Sequence, residues 1–171
     1  MAEKTVKAES VEQPQEAPAG IQVSRQEQAN QITKNHMLMA AGFGIVPVPI
    51  VDMVGFLAVQ YDMTKKLAAV YDVEFSKERV RTIVMSLLGS IAPVALTGTA
   101  ASFIKFIPVV GTFAGSVSVS TLGAASTYAI GRVFTQHFDT GGTLLNFDAA
   151  KMRSYFKKEF ETGEKVAEEA K

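Results

Sequence analysis

The stretch FIPVVG at residues 106–111 is a proline-marked break inside a long apolar run, and IVPVPIVD at residues 45–52 is a near copy of it. A stretch this apolar is unsuited to an ordinary surface loop, so each one predicts a tight turn between two helices. Two such turns predict two helical hairpins. The residues that mark the two hairpin tips are Pro47, Pro49, Asp52, Lys105, Pro108 and Gly111.

Helical signals lie on both sides of each tip. Pro49 suits the first turn of a helix, where its missing N–H needs no partner. Ser76 suits the N-cap of a later helix, in which Pro93 predicts a kink. The four predicted helices span about residues 24–44, 49–71, 77–103 and 109–138. Together with a C-terminal helix they make an all-α fold.

Small residues recur at four-residue steps along the fourth predicted helix. Such a stripe lets a second helix approach closely, as in membrane helix pairs. Residues 116–120 alternate like a strand, but tight helix packing explains the whole stripe better. The residues predicted to make this packing face, and to let copies of the chain self-associate, are Gly115, Gly123, Thr127 and Gly131.

The last predicted helix is amphipathic and begins after the N-cap Asp148. Two interpretations stand side by side: the helix lies on anionic lipid, or it covers the bundle. In the first, Lys151, Lys157 and Lys158 face head groups while Phe156 and Phe160 insert. Beyond Gly163 the chain has little to bury, which predicts fraying. The predicted domain division is a disordered tail at 1–22, a helical domain at 23–162 and a charged tail at 163–171.

Composition excludes several function classes. Seventeen basic and seventeen acidic residues balance, so no net field recruits nucleic acid. The chain has no cysteine, which excludes a disulfide framework, a thiolate zinc site and a thiol nucleophile. It does not begin with a basic region followed by an apolar one, so we expect it to start in the cytoplasm.

The charges are unevenly distributed. From Thr82 to Ile130 the only ionisable side chain besides the phenol of Tyr128 is Lys105, whereas the outer ends of the predicted helices are basic. One environment that fits is a bilayer entered from the cytoplasmic side, with the second hairpin long enough to span and the first too short. The other is a soluble bundle or oligomer with the second hairpin at its centre. The long uncharged run favours the membrane.

Catalytic patterns are absent from the sequence. It contains no GxSxG and no paired catalytic acids, so we expect no enzyme activity and no cofactor. His36 and His137 lack metal-ligand spacing and are interpreted as capping or surface groups. Asp52 is interpreted as a carboxylate stabilised by a helix N-terminus, with pairing to Lys105 as the alternative.

The motifs of the tips, followed by LAAVY at 67–71, FSKER at 75–79, SLLG at 86–89 and TYAIGR at 127–132, resemble a known bacterial family. It is the GTPase-associated, YcjF-like domain of unknown function. The resemblance covers about residues 30–160 and implies a helical, membrane-attached module that works beside a GTPase, without known catalytic residues. Ile50 departs from the family, where glycine is expected. The sequence has no GxxxxGK[ST], so nucleotide handling would belong to a partner.

The sequence therefore predicts a non-enzymatic, membrane-associated helical scaffold on the cytoplasmic side of a bacterial inner membrane. Its expected partners are membrane lipid, further copies of itself and a GTPase. The alternative is a soluble helical adaptor that binds a protein through its apolar tips.

Overall fold

The computed structural model describes residues 24–42, 49–97 and 119–170. The described chain is all-α, as predicted, and its helices are α1 (Arg25–Ala41), α2 (Pro49–Val70), α3 (Lys77–Thr97), α4 (Val119–Asp139) and α5 (Ala149–Glu169). The helix predicted from Pro49 begins at that residue. The tail at 1–22, the predicted ends of α3 and α4 nearest the second tip, and the strand-like alternation at 116–118 lie outside the described residues.

Side-chain caps start the helices where the sequence places them. The Ser24 hydroxyl accepts a hydrogen bond from the Glu27 N–H at 3.2 Å. The Asp148 carboxylate accepts from the N–H groups of Ala150 and Lys151 at 3.0 and 3.2 Å. Such a cap satisfies N–H groups that have no partner within the helix, so it fixes the starting residue.

Two helices end in left-handed residues. Asp72, with φ 57°, follows α2, and Gly141, with φ 80°, follows α4. In each turn an N–H reaches back over the last helical turn: Val73 donates to the Ala68 carbonyl at 2.8 Å, and Gly142 donates to that of His137 at 2.9 Å. These bonds are those of the Schellman motif, which satisfies carbonyls that the helix leaves free.

Helix α4 is the centre of the bundle. It packs on α1, α2 and α5, while the described part of α3 packs chiefly on α5 and α2. The core side chains from all of these helices are fully buried; the largest include Met63, Leu67, Leu87, Ile130, Phe134 and Phe156. The soluble-bundle interpretation placed two helices at the centre, and within residues 24–42, 49–97 and 119–170 the central helix is α4.

The helices alternate in direction, which gives the bundle two different ends. We call one the tip end: there α1, α3 and α5 end and α2 and α4 begin. We call the other the turn end, formed by the connections at residues 71–76 and 140–148. Both predicted hairpin tips belong to connections at the tip end.

The C-terminal helix continues to Glu169, beyond the residue Gly163 after which the sequence predicts fraying. A Cβ at Gly163 would lie only 3.0 Å from the Ala125 backbone, so α5 sits close against α4 at this point. Ala167, one turn later, is only 7% exposed and clusters with Met37 and Ala124. The small residues Gly163 and Ala167 allow this close packing, although the sequence of this segment predicts little burial.

Candidate functional site

Large apolar side chains are exposed at the tip end. Leu38 and Met39 in α1 are 53% and 54% exposed, and Val54 near the start of α2 is 64% exposed. The run Met37–Ala41 is the sequence signal for this exposure, because five consecutive apolar residues in a helix cannot all face the core. The sequence analysis named the tip prolines but missed these three side chains.

The predicted tip residues themselves fall mostly outside the described residues. Pro49 is the first residue of α2, and Asp52 lies in its first turn, so both stand at the positive end of a helix dipole as predicted. Pro47, Lys105, Pro108 and Gly111 are outside the described chain. The pairing of Asp52 with Lys105 therefore stays a prediction.

A groove opens at the same end of the bundle, between α1, α4 and α5. Its volume is about 260 Å³. Four of the eight lining residues are alanines, and the half-exposed Leu38 is another of the eight. The lining residues are Met37, Leu38, Ala41, Ser120, Thr121, Ala124, Ala167 and Ala170, none of which is charged.

The turn end carries charges of both signs. Arg25 pairs with Asp72 at 2.9 Å, and Lys66 pairs with Asp62 at 2.6 Å one helical turn away. The sequence analysis counted the basic residues at this end and overlooked the acids among them. The turn end is polar, as predicted, but its basic character is partly neutralised.

His36 is buried rather than at the surface, which corrects its interpretation as a capping or surface group. Its side chain is 3% exposed. Nδ1 lies 2.6 Å from the Ile32 carbonyl oxygen, and Nε2 lies 2.8 Å from an Asp62 carboxylate oxygen. Both partners are hydrogen-bond acceptors, so each ring nitrogen lies against an oxygen. The contact joins α1 to α2, and no sequence spacing reveals a pair 26 residues apart.

The same contact affects the charge of Asp62. Hydrogen bonds from Lys66 and then from His36 hold the pKa of this carboxyl below its ordinary value of 3.8, although burial acts in the opposite direction. Asp62, His36 and Lys66 thus form one ion-pair cluster. The described residues contain no cluster of three histidine or carboxylate side chains suited to a metal ion.

The small-residue stripe on α4 packs against α1 of the same chain. A Cβ at Gly123 would lie 3.2 Å from the Ala40 carbonyl oxygen, and one at Gly131 would lie 2.5 Å from the Thr33 methyl. Thr127 lies between them, fully buried, and accepts a hydrogen bond from the Gln60 amide at 2.8 Å. In the described chain these residues pack closely against α1, and self-association through this face stays a prediction. Gly115 is outside the described residues.

The C-terminal helix covers the bundle. Phe156 is fully buried in the core and Phe160 packs against it, which corrects their assignment as lipid-facing residues. Lys151, Lys157 and Lys158 are exposed on the other faces. A helix that packs on protein and a helix that lies on lipid have the same amphipathic pattern, so the sequence alone does not distinguish these two interpretations.

Arg132 joins three helices. It donates to the Asn30 side chain of α1 at 2.7 Å and to the Glu159 carboxylate of α5 at 3.4 Å. Burial lowers the pKa of Arg132, but nearby Tyr155, Glu159 and Tyr128 outweigh it and raise the pKa overall. The guanidinium stays charged, so this residue connects α1 and α5 to α4.

Among residues 24–42, 49–97 and 119–170, no helix combines the length and the apolarity that a membrane crossing requires.

Comparisons with known proteins give two matches. The family model for a domain of unknown function, DUF697, matches residues 10–164. The chain is also 37% identical over 155 residues to magnetosome membrane protein 22 of Magnetospirillum gryphiswaldense, covering 90% of this chain and 80% of that protein. No solved structure matches.

Proposed function

The chain belongs to the DUF697 family, and from that premise we propose that it is a non-enzymatic helical module that attaches to a membrane through its tip end. The YcjF-like resemblance seen in the sequence agrees with this family. The observation that carries the proposal is the exposure of Leu38 and Met39 near the end of α1 and of Val54 near the start of α2.

The surroundings of that cluster support a lipid contact. The connections at the tip end are residues 43–48, which hold no charge, and residues 98–118, whose one charge is Lys105. The ion pairs of Arg25 and Lys66 lie in the other half of the bundle. The last turn of α5 brings the exposed Glu168 and Glu169 to the tip end, so the proposed lipid contact is made by the apolar side chains of α1 and α2. The similarity to a magnetosome membrane protein supports the same proposal.

The basic residues of the turn end support a cytoplasmic position for that end, because the positive-inside rule favours basic residues on the cytoplasmic side of a membrane. We therefore propose attachment to the inner face of a bacterial inner membrane. The exposed Lys151, Lys157 and Lys158 lie in the first half of α5, toward the turn end, so a contact of these lysines with anionic head groups is not part of this attachment and stays a separate prediction.

A flotation experiment tests the proposal. Wild-type protein is mixed with vesicles of phosphatidylethanolamine and phosphatidylglycerol, without detergent, and should rise with them in a density gradient. Leu38→Lys and Val54→Lys should each lower the bound fraction by about tenfold, because a charge replaces apolar surface at the contact.

Leu145→Lys is the matched control. Leu145 is 70% exposed but lies at the turn end, so this variant should float like the wild type. If the wild type stays at the bottom of the gradient, the membrane proposal is wrong, and the apolar end is better explained as a contact for a protein partner.

We also propose a GTPase as a protein partner. The family is associated with YcjF-like GTPase proteins, and this sequence has no phosphate-binding loop of its own. Affinity capture from membranes, followed by mass spectrometry, should recover a GTPase with the wild type. Recovery of only abundant membrane proteins, in equal amounts from a mock capture, would remove the GTPase from the proposal.

A further inference from the structure

The outer face of α5 carries charges of opposite sign in its two halves. The exposed cations of the first half are Lys151, Arg153, Lys157 and Lys158. The carboxylates of the second half that reach the surface are Glu161, Glu164, Glu168 and Glu169. Glu159 does not belong to this set, because it is buried and pairs with Arg132. Helix α5 is therefore basic toward the turn end and acidic toward the tip end, with Lys165 as the exception in the acidic half.

One stripe of exposed residues runs along this face from end to end. Its members are spaced alternately three and four residues apart, and they are Lys151, Ser154, Lys158, Glu161, Lys165 and Glu168. The buried residues Phe156, Gly163 and Ala167 lie on the opposite side of the helix, against the bundle. Alternate steps of three and four residues are the spacing along which two helices pack side by side. The stripe is thus placed for contact with a helix from outside the described bundle.

We propose that this stripe pairs with the same stripe of a second copy of the chain, with the two α5 helices antiparallel. A two-fold contact brings the same surface of both copies together, so that surface must be complementary to itself. Antiparallel helices place the basic half of each stripe against the acidic half of the other, whereas parallel helices place like charges together. The charges therefore identify a second copy as the partner and fix its direction.

The register of the pair follows from the positions of the charges. With the helices crossing between residues 159 and 160, Lys158 lies opposite Glu161 of the second copy. In the same register Lys151 lies opposite Glu168, and Lys165 faces the neutral Ser154. Two-fold symmetry repeats both charged pairs, so the contact holds four pairs of opposite charge and places no like charges directly opposite each other along the stripe. The two tip ends point in opposite directions, and both stay free.

The charges of the stripe are available for such a contact. Within the described parts of the chain, Lys158, Glu161 and Glu168 form no ion pair, although Lys158 and Glu161 are only three residues apart on one helix. Lys151 pairs with Asp148 at 3.4 Å, but its side chain is 83% exposed and can reach outward. A second copy supplies these charges with partners and displaces no helix of the described bundle.

Sedimentation velocity without lipid tests the inference, so the result does not depend on the proposed membrane attachment. A single helix face is small beside the roughly 1,200–2,000 Å² that stable complexes bury, so we expect a weak pair at high protein concentration. Raising the salt from about 0.1 M to about 1 M shortens the screening length from about 10 Å to about 3 Å and should dissociate the pair. One variant combines Lys151→Glu with Lys158→Glu, and another combines Glu161→Lys with Glu168→Lys. Each should raise the dissociation constant by at least about tenfold, because four attractive pairs become repulsive.

An equal mixture of the two double variants should restore the pair, since a mainly acidic stripe then meets a mainly basic one. The control combines Lys65→Glu on α2 with Arg81→Glu on α3, both exposed; it makes the same change of net charge as the first variant and should pair like the wild type. Helical circular dichroism checks the folding of each variant. A wild type that stays monomeric at low salt, or a dimer that neither double variant weakens, overturns the inference. Failure of the mixture to pair overturns the antiparallel arrangement.

Discussion

Replacement of Gly131 by alanine should destabilise the protein, although alanine is the better helix former. Gly131 lies in the middle of α4, against α1. An added Cβ would meet the Thr33 methyl carbon at 2.5 Å, its hydroxyl oxygen at 2.6 Å and its Cβ at 3.0 Å. Rotation of the Thr33 side chain cannot clear all three atoms, because the Cβ does not move with χ1. Helix α1 must therefore shift.

The expected magnitude is the difference between two terms. Glycine to alanine in a helix interior gains about 1 kcal/mol from propensity alone. Overpacking at a close contact costs about 1–3 kcal/mol. The net change for Gly131→Ala is then a loss of about 1 kcal/mol. Gly89→Ala in α3 is the matched control, because a Cβ there meets nothing within 4 Å, and it should gain about 1 kcal/mol.

Thermal and urea unfolding, followed by helical circular dichroism, measure the difference between the two variants. About 2 kcal/mol corresponds to roughly 4–8 °C in Tm for a chain of this size. In a Thr33→Ala background, Gly131→Ala should cost less, since two of the three close atoms are gone. The Thr33 hydroxyl has no hydrogen-bond partner among the described residues, so its removal sacrifices no bond there. Equal, positive shifts for Gly131→Ala and Gly89→Ala would refute the close packing of α1 on α4.

Three further perturbations follow from the core and its ion pairs. Arg132→Met should cost about 2 kcal/mol in unfolding free energy, because it leaves the mostly buried Glu159 without its ion-pair partner, and adding Glu159→Leu should restore part of the loss. The pKa of Asp62 is lowered in the folded state, so its contribution to stability is present above about pH 3.8 and is lost as the pH falls below that value; Asp62→Asn should flatten the acid side of a stability profile. Phe156→Ala should cost about 3–5 kcal/mol in urea unfolding, whereas Leu145→Ala should change stability by less than about 0.5 kcal/mol. A small loss of stability for Phe156→Ala would contradict the burial of Phe156 in the core.

The helix boundaries were predictable because their signals are local. Ser24 and Asp148 accept hydrogen bonds from N–H groups within three residues of themselves, and Pro49 suits a helix start because it has no N–H of its own, so a sequence window contains each signal. The end of α4 at the glycine pair 141–142 is of the same kind. The end of α2 was harder, since Asp72 takes a left-handed conformation that asparagine and aspartate adopt only sometimes.

The identity of the neighbour on each helix face was not predictable. Phe156 and Phe160 form the same apolar stripe whether protein or lipid covers them, and only the tertiary structure places them against the core. The partner of His36 was likewise not predictable, because Asp62 lies on another helix. The tip-end groove depends on three helices at once, and its alanines look unremarkable in any one of them.

The place of α1 limits how copies of this chain can associate. Helix α1 covers the described part of the small-residue stripe on α4 and buries Ala29, Met37 and Ala40, which are at most 3% exposed. A second copy that used Gly123 and Gly131 would have to displace α1, break the contact between His36 and Asp62 and expose those apolar side chains. The displaced α1 would recover that burial only on an equivalent stripe. An oligomer built on the described part of α4 is therefore expected to exchange α1 between copies, whereas the tip end stays open for contact without any such rearrangement.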